Sequence, residues 1–170
     1  EKSLYLYKHH YQLKDKTPPS LQRIFDQGTN VGILAQELFP NGVDASPESY
    51  FKMVESVEKT LEFIRQGESI IYEATFLHND VIVAVDILVK DKQGWKAFEV
   101  KSSTKVSETY VKDATIQYYT IANSGIELKD ISIAYINNKY VRNGELDINQ
   151  LFAIESVHNR VLEFLPRIPN

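Results

Sequence analysis

Cysteine is missing from the chain altogether. That excludes disulfides, thiolate zinc centres and cysteine-held iron–sulfur clusters within it, and it fits a cytoplasmic protein. No apolar run approaches the ~18 residues needed to span a membrane. No charged, apolar and small-residue succession marks a signal peptide. Walker-type and dinucleotide glycine loops are absent, as is a Gly-x-Ser-x-Gly nucleophile elbow. A basic excess is also absent. The net charge is −4 and the pI is near 5.6, which counts against a broad non-specific nucleic-acid surface but leaves room for a local basic groove. There is no internal repeat, low-complexity tract or obvious linker.

What remains is an ordinary globular composition. At 170 residues and 43% hydrophobic content, the chain can bury the core of one domain. It opens on Glu1 rather than Met, so residues 1–170 read as a single domain excised from a longer protein. A tyrosine-rich segment, Ser3 to Tyr11, leads to a break at Asp15-Lys16-Thr17-Pro18-Pro19. A helix is expected from about Ser20 to Phe39, with Gly28 and Gly32 one turn apart, ended by the turn signal Pro40-Asn41-Gly42. A second helix is expected after Ser46 as N-cap and Pro47 at its first position. Tyr50, Val54, Val57, Leu61 and Ile64 form its apolar stripe, and Gly67 stops it. A third helix is expected over Ser107–Asn123, ended by Gly125. Ile131–Ile136 reads as a buried strand, Tyr140-Val141 as a short one and Phe152–Val157 as another, with a final helix from about Asn159.

The informative segment lies between the second and third helices. Three strands are expected near 69–78, 81–91 and 94–101. Asn79-Asp80 forms the first two-residue turn, and that register sets Glu73 opposite Asp86. The second turn is centred on Lys92-Gln93 before Gly94, and its register sets Asp86 opposite Glu99. Opposed residues share a sheet face, and alternation adds Lys101 to it. Like charges so placed repel, so a divalent metal and a catalytic lysine would account for the set. Asp86 interrupts the apolar run Val81–Val89, and Glu99 is flanked by Phe98 and Val100, where unpaired charge is expensive. The bland alternative is a solvated strand face in which Lys101 pairs with the acids. Glu127-Leu128-Lys129, downstream of Asp113, repeats the pattern in a turn-like segment and reads as chance.

Asp86, then Glu99-Val100-Lys101 after a short hairpin, resembles the core signature of the PD-(D/E)XK nuclease superfamily, and most of all its RecB-like branch, which includes the exonucleases of CRISPR adaptation. Gln117 is similar to the RecB-type glutamine of the following helix. SLYLYKHH and IFDQGTNVGILAQELFP resemble the N-terminal helices of bacterial RecB-like proteins. The resemblance implies an α/β, restriction-endonuclease-like core: a mixed β-sheet with a three-stranded antiparallel meander flanked by α-helices. It implies Mg²⁺ or Mn²⁺ on Asp86, Glu99 and the Val100 carbonyl, Lys101 on the attacking water, and Gln117 positioning the lysine, the water or the substrate strand. It also implies DNA as partner, no membrane, and a further C-terminal region in the full-length protein.

Two departures stand out. Relatives often carry a histidine ligand four residues after the helix glycine, and here Gly32 holds that place. The glutamine is often followed four residues later by tyrosine, and here Ile121 stands there. The missing imidazole makes Glu73 a candidate replacement ligand. The expected function is a metal-dependent DNA nuclease; the alternative is an inactive nuclease fold that binds nucleic acid or a partner domain. His9-His10, His78 and His158 read as non-ligands. Lys101, Lys105 and Lys112 are candidate phosphate contacts, or else a solvated face.

Overall fold

The computed structural model describes residues 28, 30–49 and 52–168. The expected segment Ser3–Tyr11, the pair His9-His10, and the first part of the expected helix from Ser20 lie outside these residues. Described helical residues 30–35 (α1) run into a 3₁₀ turn, Gln36–Leu38. The elements that follow are β1 (Val43–Asp44), α2 (Met53–Gln66), β2 (Ile70–His78), β3 (Val81–Asp91) and β4 (Gly94–Lys101). Then come α3 (Glu108–Asn123), β5 (Leu128–Ile136), the one-turn α4 (Ile148–Leu151), β6 (Phe152–Ser156), α5 (His158–Phe164) and a 3₁₀ turn, Leu165–Arg167. Among the described residues no helix is long and apolar enough to cross a membrane.

The six strands form one sheet in chain order, β1 to β6. β1 and β2 are parallel, β2–β3–β4 is an antiparallel meander, β4 and β5 are parallel, and β5 and β6 are antiparallel. A parallel neighbour needs a crossover, and α3 supplies it between β4 and β5. The architecture is therefore the expected mixed sheet flanked by helices. The main core lies where β2–β5 meet α3 and α5, built on Ile71, Phe76, Val85, Leu88, Val111, Ile121, Ile131 and Val161, with Phe63 and Ile64 of α2 packed against it. A second core, Tyr72, Ile87, Phe98 and Phe152, takes Leu34, Ala35 and Leu38 from α1 and the 3₁₀ turn, and Leu151 from α4.

The turns behave as their residues dictate. Asn79 and Asp80 have φ of 47° and 61°, the paired positive values of a type I′ hairpin. Gly42 is a close approach: a Cβ there would sit 2.5 Å from Tyr72 Cζ. The Tyr72 hydroxyl accepts the Gly42 N–H at 3.0 Å and donates to Phe39 O at 2.6 Å, which ties this loop to the sheet.

Several local expectations are corrected. Ser46 does not cap α2, which begins after Lys52. Ala45 N–H still bonds Tyr72 O, and Ser46 N–H donates to Asp44 Oδ1 at 2.8 Å. These bonds, and the extended bias of a residue before proline, hold 45–47 out of the helix. The apolar stripe is only partly the buried face of α2: Ile64 packs against the main core and Val57 is half-buried, while Tyr50 lies outside the described residues. Val54 is 58% and Leu61 36% exposed, while Ser56 and Thr60 are buried, because the helix docks on β2 through its hydroxyls. Tyr140-Val141 is irregular, with Val141 82% exposed. β5 begins at Leu128 rather than Ile131, because Trp95 of β4 pairs with Leu128 there.

Candidate active site

The meander registers are those the turns imply. Tyr72 pairs with Ile87 and Ala74 with Val85, so Glu73 and Asp86 stand opposite by count. Between β3 and β4 the ladder ends at Ile87 and Phe98, one step before Asp86 and Glu99. The strands part there. In place of the next backbone bond, Val100 N–H donates to Asp86 Oδ2 at 2.6 Å. Meanwhile β4 stays paired with β5 as far as Lys101 and Tyr135. This fork opens a cleft of about 530 Å³ whose lining includes Glu73, Asp86, Glu99, Val100 and Lys101, faced by Gly28, Gly32 and Gln36.

Alternation does not run straight through this point. On β2, Ile71 enters the main core and Tyr72 the second, whereas beyond Glu73 it is Ala74 and Phe76 that enter the main core. On β3, Val85 and Leu88 enter the main core while Ile87 enters the second. Both strands slip one step at the opposed positions Glu73 and Asp86, so pairing survives on either side. Glu73 carries the slip on β2 with φ +54°, a left-handed conformation uncommon for a residue other than glycine. Strict alternation therefore does not describe this face, and the cleft forms at the irregularity.

The electrostatics follow from crowding. Burial pushes the Asp86 carboxyl well above its usual range, and Glu99 and then Glu73 add to the rise, against the Val100 hydrogen bond. Burial also raises Glu73, with Glu99 and Asp44 contributing. Burial alone would pull the Lys101 ammonium down, but its contact with Glu99 outweighs this and leaves it raised. Lys101 Nζ lies 2.7 Å from Glu99 Oε1, with the side chains 24% and 12% exposed, and 5.2 Å from the Tyr110 ring centre. The other Glu99 oxygen, Oε2, accepts from Gln117 Nε2 at 2.7 Å, and the same nitrogen lies 3.3 Å from Ala84 O. Gln117 thus reaches the cleft through Glu99 and ties α3 to β3 and β4.

The acidic donor set is all oxygen: the carboxylates of Glu73, Asp86 and Glu99 line the cleft, with Val100 beside them. That suits a hard divalent cation, and a cation would relieve the crowding of Asp86 and Glu73. Among the described residues, however, no three carboxylate or histidine side chains already close into a metal-holding group. Gly32 sits across the cleft, and a Cβ built there would meet nothing within 4 Å.

The remaining candidates lie elsewhere. Lys112 pairs with Glu108 at 2.7 Å and lies over the Phe164 ring, in a separate hollow with Arg167. Lys105 is exposed. His78 packs edge-on against Tyr119, and His158 lies tilted against Tyr118 with Asp130 3.8 Å away. Two features escaped sequence reasoning: the hydrogen bond from Val100 N–H to the Asp86 side chain, and the left-handed turn at Glu73. Nothing in the local sequence signals either.

Neither a protein-family profile nor a curated protein matches this sequence. Among solved structures, an alkaline exonuclease (LHK-Exo) from Laribacter hongkongensis is similar over 90% of this chain and 81% of its own, at 12% identity and a TM-score of 0.36. The protein SSO0001 is similar over 99% of this chain and 84% of its own, at 13% identity and a TM-score of 0.30. Likenesses this loose carry no functional weight; the cleft does.

Proposed function

We propose that this chain is a RecB-like PD-(D/E)XK nuclease domain that hydrolyses DNA phosphodiesters with Mg²⁺ or Mn²⁺. One observation carries the reading: Asp86, Glu99, Val100 and Lys101 meet where β3 and β4 part, and Gln117 holds the free oxygen of Glu99. Asp86, Glu99, Glu73 and the Val100 carbonyl would hold the metal. When bound, the ion polarises the scissile phosphate and lowers the pKa of water. Lys101 remains an ammonium beside Glu99, so it orients the attacking water and offsets the negative charge that develops on the phosphate, rather than removing a proton. Gln117 keeps Glu99 turned toward the cleft, and Val100 N–H does the same for Asp86.

The test is cleavage of end-labelled DNA with Mn²⁺, with and without chelator, alongside Lys101→Ala. Chelator-sensitive cutting that disappears in Lys101→Ala is expected, and equal cutting by both proteins would reject the assignment. The second reading, a nuclease fold that binds without cutting, draws on Gly32 at the place of the relatives' histidine. It predicts DNA retention with no metal-dependent cleavage.

A further inference from the structure

Beneath α2 lies a group of buried hydroxyls that the proposed chemistry does not use. Thr75 and Thr60 are 0% exposed and Ser56 1%. Thr60 Oγ1 accepts Thr75 N–H at 2.9 Å and donates to Ser56 O at 2.8 Å, fastening α2 to β2. Ser56 Oγ donates to Ala45 O at 2.5 Å and lies 2.7 Å from Thr75 Oγ1. Thr75 Oγ1 in turn lies 3.0 Å from Glu73 O. Protons can be counted here. Two hydroxyl hydrogens, on Ser56 and Thr75, serve three oxygen contacts. Ser56 spends its own on Ala45 O, so the Thr75 hydrogen is shared between Ser56 Oγ and the Glu73 carbonyl.

That carbonyl belongs to the left-handed residue. A glutamate at φ +54° is strained and persists only where its surroundings hold it. Two things could do so: the packing of Ala74 and Phe76 into the main core, or the Thr75 hydroxyl. Packing alone would be served equally well by valine at 75, which has the same shape and no polar group to bury.

We propose that Thr75 is a positioning residue for the cleft. Its hydroxyl holds the Glu73 carbonyl in the left-handed turn that brings the Glu73 carboxylate to the lining shared with Asp86 and Glu99, and Thr60, which accepts Thr75 N–H, anchors it to α2. The part concerning metal rests on the nuclease reading above; the part concerning the turn does not.

The experiment compares wild type with Thr75→Val, Thr75→Ser and Ser56→Ala. Backbone Cα and Cβ chemical shifts of residue 73 report its conformation, and calorimetry with Mn²⁺ reports the cleft. Wild type, Thr75→Ser and Ser56→Ala should show the left-handed shifts. Ser56→Ala loses its own bond but leaves the Thr75 hydrogen wholly to Glu73. Thr75→Val should lose those shifts and weaken Mn²⁺ binding by roughly tenfold, the lower end for lost outer-shell support. Thr75→Ala gives the same readings should Thr75→Val not fold. Left-handed shifts retained in the variants without a hydroxyl, or an equal loss in Ser56→Ala, would overturn the proposal. A wild type that binds no Mn²⁺ would overturn the metal reading alone, because the shifts still decide the turn.

Discussion

Strand β4 has a Glu-x-Lys tripeptide near each end, and the two have different surroundings. Glu99-Val100-Lys101 closes the strand; Glu127-Leu128-Lys129 lies against its beginning, where Lys129 covers Gly94 and Glu127 O accepts Trp95 N–H. Each tripeptide forms its own lysine–glutamate ion pair. The first pair has side chains 24% and 12% exposed and shares a cleft with Asp86 and Glu73. The second has side chains 43% and 79% exposed and lies outside the lining of that cleft. The tripeptide itself thus carries little information. What separates the two is a parting of strands beside the first, which leaves charges crowded and short of water.

The sharpest way to break this contrast is to cut both pairs. Lys101→Ala should lower Mn²⁺-dependent DNA cleavage by roughly 10²–10⁴-fold, the range for a lost group acting on proton or charge in a transition state, while calorimetry still detects Mn²⁺. Lys129→Ala should cleave like wild type. Equal activity in the two would erase the distinction between the tripeptides. Glu73→Gln comes next in size. It should weaken Mn²⁺ binding by about ten- to hundredfold, with excess Mn²⁺ partly restoring cleavage. Overlaying titrations would leave a two-carboxylate site.

A smaller effect concerns stability and pH. A carboxyl whose folded value is raised favours the folded state while protonated. That contribution is complete below the ordinary carboxylate value, near pH 4, and is lost as pH rises through the raised value. Asp86 and Glu73, both raised, should therefore make the metal-free protein less stable as pH climbs above that point. Asp86→Asn, which keeps an acceptor for Val100 N–H, should flatten the slope and raise the melting temperature most at pH 8. Each ~1 kcal/mol relieved is worth roughly 2–4 °C at this chain length. A melting curve with the same pH slope in both proteins would contradict the crowding. The smallest effect belongs to the exposed pair, whose loss should change stability by only about 0–1 kcal/mol, measurable by urea titration of Lys129→Ala.

Much of the meander was legible from local chemistry. Asn79-Asp80 demands a two-residue turn, and a turn of known length sets which residues oppose, so Glu73 and Asp86 could be paired on paper. Gly94 did the same for β3 and β4, and Ser107 capped α3 where its hydroxyl accepts Tyr110 N–H. Local signals failed where a distant partner decided the outcome. Val54 and Leu61 of the α2 stripe gave way to Ser56 and Thr60 because β2 offered these hydrogen bonds, and Leu128 joined β5 because Trp95 lay beside it.

By itself, the sequence determined the turns, the pairing of the three meander strands and the type of each long helix, because these depend on residues within a few positions of one another. It also determined the inventory of oxygen donors. The parting of β3 and β4 after Ile87 and Phe98, the left-handed conformation of Glu73 and the reach of Gln117 to Glu99 from another element arose with the folded contacts. Those outcomes set backbone geometry against packing and hydrogen bonds contributed by α2, α3 and β5. Such a balance exists only once elements far apart in the chain have come together.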